Sequence, residues 1–396
     1  MIQMQYKIIC SLFTAVMVAL PLGAETVGEY LSEVKISNPG LKIASVNADA
    51  VKAELSAENT LEPLSIEYSP FFRKGVGGVS SSELIVQQEF DFPSLYKARG
   101  KEAEARAQSA LSEGKQSRRE ILLAAKTAYL DLVYAWGMMK LAAERLDASE
   151  NILALVGKQR DAGVTTSLDI NRAEMEMMTA EAAFRRAEGE VAKAEKIASA
   201  FIPAGMKSPD DVSYPQLPIL LADNDSLVSS LIDFDPVLQT GKCDILAEEE
   251  ALKVASRSLL PKFAVGYRCN TEEKEVSNGF LVGINLPLYS GKGGMKAARA
   301  RKAAKQLESE TIRMQLHGEL SGLNSECYFL QKALGAYDLD VMKESLKLMM
   351  KGVEMRHIPL QDYYTQTSVI YDKIEEYLEL EHSLQLSVAT LFSNTL

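Results

Sequence analysis

Six methionines stand in two groups, Met175, Met177 and Met178 in one and Met349, Met350 and Met355 in the other. Thioether sulfurs suit soft cations such as copper(I), so the pattern raises a metal relay. Methionine also fills helix–helix cores, and Met177 falls on an apolar row described below. Packing is therefore the reading adopted, and no metal site is expected. His317, His357 and His382 show no ligand spacing. Outside an apolar leader, Cys243, Cys269 and Cys327 are odd in number and widely spaced, which indicates neither a disulfide framework nor a zinc knuckle. No nucleophile–base pair, HExxH or phosphate loop occurs, so neither an enzyme nor a cofactor is expected. A formal net charge of −11 argues against a nucleic-acid partner, because neutralising phosphates requires a basic face.

The chemistry-bearing residue types thus give little, and the elements that would carry them give more. Lys7 precedes an apolar run over residues 8–20, followed by PLGA at 21–24. This is a secretory signal over residues 1–24 with a cut after Ala24, too short for a good anchor. Cys10 lies inside the run, so a lipoprotein cut is not expected. No later run of about 18 apolar residues is present, so no helix should span a bilayer.

The chain repeats itself. NPGL at 38–41 returns as DPVL at 235–238, with Pro39 and Pro236 separated by 197 residues. LIVQQEFDFPS at 84–94 returns as LVGINLPLYS at 281–290, with Val86 and Val282 separated by 196. GVTTSLD at 163–169 corresponds to RHIPLQD at 356–362, with Asp169 and Asp362 separated by 193. Residues 25–202 and 226–396 are therefore predicted as two structural repeats joined by a proline-rich crossover at 203–225. Each repeat reads as a short helix, a helix of about 20 residues, two strands, and two long helices joined at a break.

The strands alternate. Leu64, Ile66 and Tyr68 oppose Ser65, Glu67 and Ser69; Leu84, Val86, Phe90 and Phe92 oppose Gln87, Glu89 and Asp91. Phe263, Val265 and Tyr267 oppose Lys262, Ala264, Gly266 and Arg268, and Val282, Ile284, Leu286 and Leu288 continue one apolar row from Phe280. Runs of about ten residues with one apolar face suit a transmembrane barrel, and equally a soluble sheet packed on its own helices. The helices carry a stricter pattern. Ile170, Met177, Phe184, Val191 and Ala198 recur every seven, as do Ala173, Ala180, Ala187, Ala194 and Phe201. Leu132, Met139, Leu146 and Leu153 pair in the same way with Ala128, Ala135, Ala142 and Ser149. Large rows against small rows predict an antiparallel pair folding back at Gly163. The 66 residues from Tyr96 to Asp161 would make roughly 100 Å of helix at 1.5 Å per residue. Lys97, Arg99, Lys101 and Arg106, echoed by Lys292, Lys296, Arg299, Arg301 and Lys302, suit either a membrane edge or a solvated helix face. Four strands cannot close a membrane barrel, so either the sheet lies outside lipid or several copies share one barrel.

The double repeat, the NPxL-type helix starts, LPLYSGKGGMKAARARKAA at 286–304 and AGVTTSLDINRAE at 162–174 resemble the TolC-like outer membrane efflux proteins. The resemblance implies a mostly α fold with a small β part. Long coiled-coil hairpins would form an α-helical barrel, and each chain would give four strands to a trimeric twelve-stranded transmembrane barrel. It implies a homotrimer in outer-membrane lipid, extending into the periplasm, and passive export of small molecules or metal ions. The partners it implies are a periplasmic adaptor and an inner-membrane pump of the resistance-nodulation-division type. By the same resemblance Gly163, Val164, Thr165, Thr166 and Asp169 form the first adaptor-docking tip, and Arg356, His357, Ile358 and Pro359 the second. Arg356, His357 and Pro359 depart from the family pattern, in which glycine is usual at the position of Arg356. Asp362, Tyr363 and Tyr364 are the implied periplasmic gate, where three-fold symmetry would gather three Asp362 carboxylates. Competing classes are a periplasmic adaptor, which would carry one hairpin among many soluble strands, and a structural coiled coil without a pore.

Overall fold

The computed structural model describes residues 26–396 apart from 76, 207–211, 223, 273–274 and 287–291. The expected secretory signal and Leu288 lie outside the described residues. The first half gives α1 (Val27–Ser37), α2 (Gly40–Glu58), β1 (Ser65–Phe71), β2 (Ser81–Phe90), α3 (Pro93–Asp161) and α4 (Ser167–Ser199). The second half repeats that order with α5 (Asp225–Asp233), α6 (Pro236–Arg257), β3 (Lys262–Glu272) and β4 (Glu275–Asn285), then α7 (Lys292–Leu334), α8 (Leu339–Glu354) and α9 (Leu360–Leu391). The duplication is thus visible element by element. One expectation is corrected: the first long helix of the second half is not continuous. It stops after Leu334, and Asp338 starts α8 by accepting the backbone N–H of Val341 at 3.0 Å. Gly335, a poor helix former, and an aspartate that competes for the backbone account for the interruption. No described helix is long and apolar enough to cross a membrane.

The chain divides into two compact units. One comprises residues up to Ser37, Ala125–Pro218 and Ala336–Gln385. Here the heptad seam is observed as packing: Ala128, Leu132, Ala135 and Ser149 of α3 are buried, as are Ala173, Ala180, Val191, Ala194 and Ala198 of α4. The hairpin is antiparallel and in register far from its turn. The Tyr30 hydroxyl donates to the Ala198 carbonyl at 2.8 Å, while the Tyr30 ring lies 5.2 Å from that of Tyr129. Tyr129 and Ala198 lie almost equally far in sequence from Gly163, 34 and 35 residues. At about 1.5 Å per residue, the two helices keep company for about 50 Å.

The other unit comprises Asn38–Ala124, Ile219–Gly335 and Leu386–Leu396. Asp235 anchors it. This carboxylate is 2% exposed, accepts the Val237 N–H at 2.8 Å to start α6, and meets Arg119 of α3 at 2.7 Å. The unit also holds one sheet in the order β1-β2-β3-β4, antiparallel throughout. The register decides what its faces are. Ile66, Val86, Tyr267 and Phe280 form one rung, and Phe90, Phe263 and Ile284 another, on the same face. Every strand residue on that face is uncharged. All charged residues of the four strands fall on the opposite face. The apolar face is bare: Phe280 is 91% exposed, Val282 79% and Ile66 66%. A sheet packed on its own helices would bury this row, so that alternative fails. Leu64 and Leu286 lie one residue outside their strands, and Phe92 lies two residues beyond β2.

Helix packing in this unit is close where α2 crosses α3. A Cβ placed at Gly114 would overlap Ala44, whose Cα would stand 3.3 Å away. Replacing a helical glycine with alanine ordinarily stabilises by about 1 kcal/mol. Overpacking costs about 1–3 kcal/mol, so here the clash should win. Gly114→Ala is predicted to lower the denaturation midpoint of the purified protein, where an ordinary helix position would raise it.

Candidate functional site

Both hairpin turns lie in the first unit, and their sequences share one backbone solution. At the end of α3 the N–H of Gly163 bonds to the Arg160 carbonyl at 2.8 Å, and that of Val164 to Gln159 at 2.9 Å. At the end of α8 the N–H of Arg356 bonds to Val353 at 3.0 Å, and that of His357 to Gly352 at 2.8 Å. Each is a Schellman termination, which needs a left-handed residue at its pivot. Gly163 has φ 71° and Arg356 has φ 58°. Glycine adopts this conformation freely, whereas arginine pays about 1–2 kcal/mol for it. Gly352 is required for a different reason. A Cβ there would overlap Ile358, with its Cγ1 only 2.8 Å away.

The helices restart differently. Thr166 caps α4: its hydroxyl accepts the Asp169 N–H at 3.2 Å, and the Asp169 carboxylate accepts the Thr166 N–H at 3.2 Å. The Thr165 hydroxyl also donates to that carboxylate, at 3.2 Å. These bonds, from Thr166 first, hold the Asp169 carboxyl below the usual carboxylate range. Asp362 occupies the corresponding third position of α9, but the residue ahead of that helix is Pro359, which has no N–H and no hydroxyl. The reciprocal bond that occupies Asp169 is therefore impossible for Asp362. Its side chain is exposed.

The two turns sit on one core. Ile152 and Val156 of α3, Ala173 of α4, Val353 of α8, and Tyr363 and Tyr364 of α9 form a single buried cluster. Tyr363 is 4% exposed and Tyr364 8%, and Arg172 lies 5.4 Å from the Tyr364 ring. Burial pushes the Tyr364 hydroxyl up to about 12 and raises that of Tyr363 as well, so both stay neutral phenols. Of the three residues expected at a gate, Asp362 alone is presented to solvent; the tyrosines hold the tip together. Among the docking residues, Gly163, Val164, Thr166, Arg356, His357 and Pro359 are exposed, whereas Thr165, Asp169 and Ile358 are half-buried. The structure adds two exposed apolar residues to the tip surface: Leu168, at 75% exposure, which sequence reasoning missed, and Met355, at 64%, which it had read as packing. The signal was available for Leu168, which falls off the seven-residue rows that begin at Ile170 and Ala173. The Met175 and Met178 side chains are exposed, while Met349 and Met350 pack against the tip core. No cluster of metal-ligating His, Cys, Asp or Glu occurs among the described residues.

The basic residues at the strand-to-helix junctions are largely spoken for. Arg99 meets Asp91 at 2.8 Å, Arg106 meets Glu102 at 3.0 Å and Lys302 meets Glu249 at 3.1 Å. Lys97 and Lys101 are exposed.

Two substitutions test the tip geometry. Arg356→Gly removes left-handed strain of about 1–2 kcal/mol and adds unfolded-state entropy of under about 1 kcal/mol, so the tip should become more stable. Slower amide hydrogen exchange at residues 352–358 is the expected readout. Thr166→Ala should cost about 1 kcal/mol and speed exchange over the first turn of α4. Because the Asp169 carboxyl is lowered on folding, this capping contribution is full above about pH 4. The part carried by the Asp169 carboxylate fades as pH falls through the folded value, so the difference between Thr166→Ala and the unaltered chain should narrow in acid to the hydroxyl's own bond from the Asp169 N–H.

A model of the outer membrane efflux protein family matches residues 31–196. No curated protein matches the sequence. Among solved structures, the outer membrane channel CmeC of Campylobacter jejuni aligns at 11% identity with a TM-score of 0.75, covering 94% of this chain and 85% of that one. The open-state MtrE outer membrane channel of Neisseria gonorrhoeae aligns at 17% identity and TM-score 0.71, with 94% and 89% covered. The outer membrane protein VceC of Vibrio cholerae gives 14%, 0.67, 93% and 94%. At these identities the structures speak for the fold, and the family match supplies the sequence link. Over residues 31–196 the chain is similar to the outer membrane efflux protein family, and over nearly its whole length it shares the fold of outer membrane channels.

Proposed function

We propose that the chain is one third of a passive exit duct, through which an inner-membrane pump drives small molecules or metal ions across the outer membrane. The observation that carries this reading is the sheet: four strands with a bare, uncharged face and unpaired outer edges on β1 and β4. In hydrocarbon each unpaired backbone group costs several kcal/mol, so such a sheet must close on further strands. Three copies would supply twelve, within the range of even-numbered membrane barrels. The apolar face would then meet lipid and the charged face the lumen.

The hairpin tips are the periplasmic end of the same reading. Gly163, Val164, Thr166, Arg356 and His357, with Leu168 and Met355 beside them, offer an adaptor two turns of one geometry on one shared core. A pump of the resistance-nodulation-division type would couple through that adaptor. Asp362 is the gate carboxylate. Pro359 frees it from capping duty, and three copies around an axis would repel one another until cations or Arg356 relieve the charge.

Two measurements test this. The mature chain should purify as a detergent-dependent trimer; a water-soluble monomer would end the reading. In planar bilayers Asp362→Ala should relieve block by divalent cations and raise the conductance of closed channels, and an unchanged block would remove Asp362 from the gate.

A further inference from the structure

Where the strands become helices, ion pairing sorts the basic residues into two sides, and the inference drawn from this rests on the duct reading above. Asp91, one residue past β2, continues the charged face, and Lys262 of β3, on that same face, meets it at 3.3 Å. Arg99 of α3 reaches Asp91 at 2.8 Å, so its side of the helix is the inner one. Arg106, seven residues on, shares that side and meets Glu248 of α6 at 3.5 Å. Arg301 of α7 meets the same carboxylate at 3.7 Å, which puts Arg301 on the inner side too. These inward arginines are all paired.

The outward cations are not. At about 3.6 residues per turn, Lys97 and Lys101 lie about 160° around α3 from Arg99. Lys296 and Arg299 lie about 140° and 160° around α7 from Arg301. All four are exposed, and among the described residues none meets a carboxylate. A merely solvated face would mix its signs. Here Glu104 is the first outward carboxylate of α3, and α7 has no acidic residue before Glu308. The cations also follow directly on the bare apolar face, which ends in the rings of Phe92 and Phe263, 6.2 Å apart. Aromatic residues of this kind mark the edge of a membrane barrel. Lys97 and Lys101 stand about 6 Å and about 12 Å along α3 from its first residue. The head-group layer is about 5–8 Å deep, and long basic stems reach back toward it.

We infer that Lys97, Lys101, Lys296 and Arg299 form a collar that binds the phosphates of anionic phospholipids in the periplasmic leaflet. Three copies would close it into a ring directly below the apolar face, and so fix the depth at which the sheet sits. The ion pairs of Arg99, Arg106 and Arg301 keep those three residues out of it.

The test uses the purified trimer in neutral detergent, with phosphatidylglycerol or phosphatidylcholine added at equal mole fraction. Lipid that co-elutes with the trimer is extracted and quantified. Phosphatidylglycerol should be retained in preference. That preference should fade as salt rises from about 0.1 M to about 1 M, because the screening length contracts from about 10 Å to about 3 Å. Combining Lys97→Gln, Lys101→Gln, Lys296→Gln and Arg299→Gln should cut it at least about fivefold while leaving a conducting trimer. Lys97→Gln with Lys101→Gln alone should lower it in the same direction, which covers a fourfold variant that fails to assemble. Lys97→Arg with Lys101→Arg should keep it. So should Lys115→Gln, on the same side of α3 but about 20 Å further from the strands. Equal retention of the two lipids, a preference that survives the glutamine changes, or displacement of the lipid by inorganic phosphate at equal concentration would overturn the collar and leave the duct standing. A chain that forms no trimer in detergent would overturn both.

Discussion

A backbone peptide group in hydrocarbon has no water to fall back on, and in the duct proposed above that constraint organises the protein. A sheet of four antiparallel strands satisfies its inner ladders but leaves the outer edges of β1 and β4 open. In water such edges are a nuisance that charge or a bulge can manage. Here the face beside them is uncharged along all four strands, with Phe280, Val282 and Ile66 bare. An environment that suits that face cannot tolerate those edges. Closure by identical copies satisfies both demands, and a duplicated chain with two strand pairs is a natural unit for it.

The long helices answer a second constraint. A hairpin arm of about 50 Å has little interior, so it must be held by a narrow seam rather than a globular core. Large residues on one row and alanines on the other allow that close approach, and Tyr30 ties both helices together 34 residues from the turn. At the tip the seam gives way to a compact cluster in which Tyr363 and Tyr364 are buried. That cluster fixes the relative placement of the two turns, and so makes one surface out of two distant stretches of sequence.

Much of this was legible in the sequence, because periodicity reports packing directly. The period of two in residues 64–72 and 280–288 gave the strand faces, and the period of seven from Ile170 and Ala173 gave the seam. Two kinds of feature were not legible. Whether Tyr363 and Tyr364 point into the tip or into a mouth depends on which face of α9 meets α3 and α4, and a short aromatic pair does not encode that. The stop at Gly335 depends on local competition between a glycine, an aspartate and an otherwise good helical run, which propensity alone does not resolve. The contrast between Asp169 and Asp362 lay between these cases. Both occupy the same position after a turn, but only the observed helix start shows that Pro359 excludes the bond Thr166 makes.

The most direct measurement of the central claim is disulfide trapping between β1 and β4. In a chain whose own cysteines are replaced, one cysteine is placed at Ser65 or Ser69 and one at Ser277 or Gly279. Within a single chain β2 and β3 intervene, which puts β1 and β4 about 14 Å apart, beyond the roughly 7 Å that a disulfide can bridge. Any bond must therefore join two copies. Membranes oxidised before electrophoresis should yield covalent dimers and trimers for at least one pairing of the four. A single-chain band in every pairing would contradict the shared barrel.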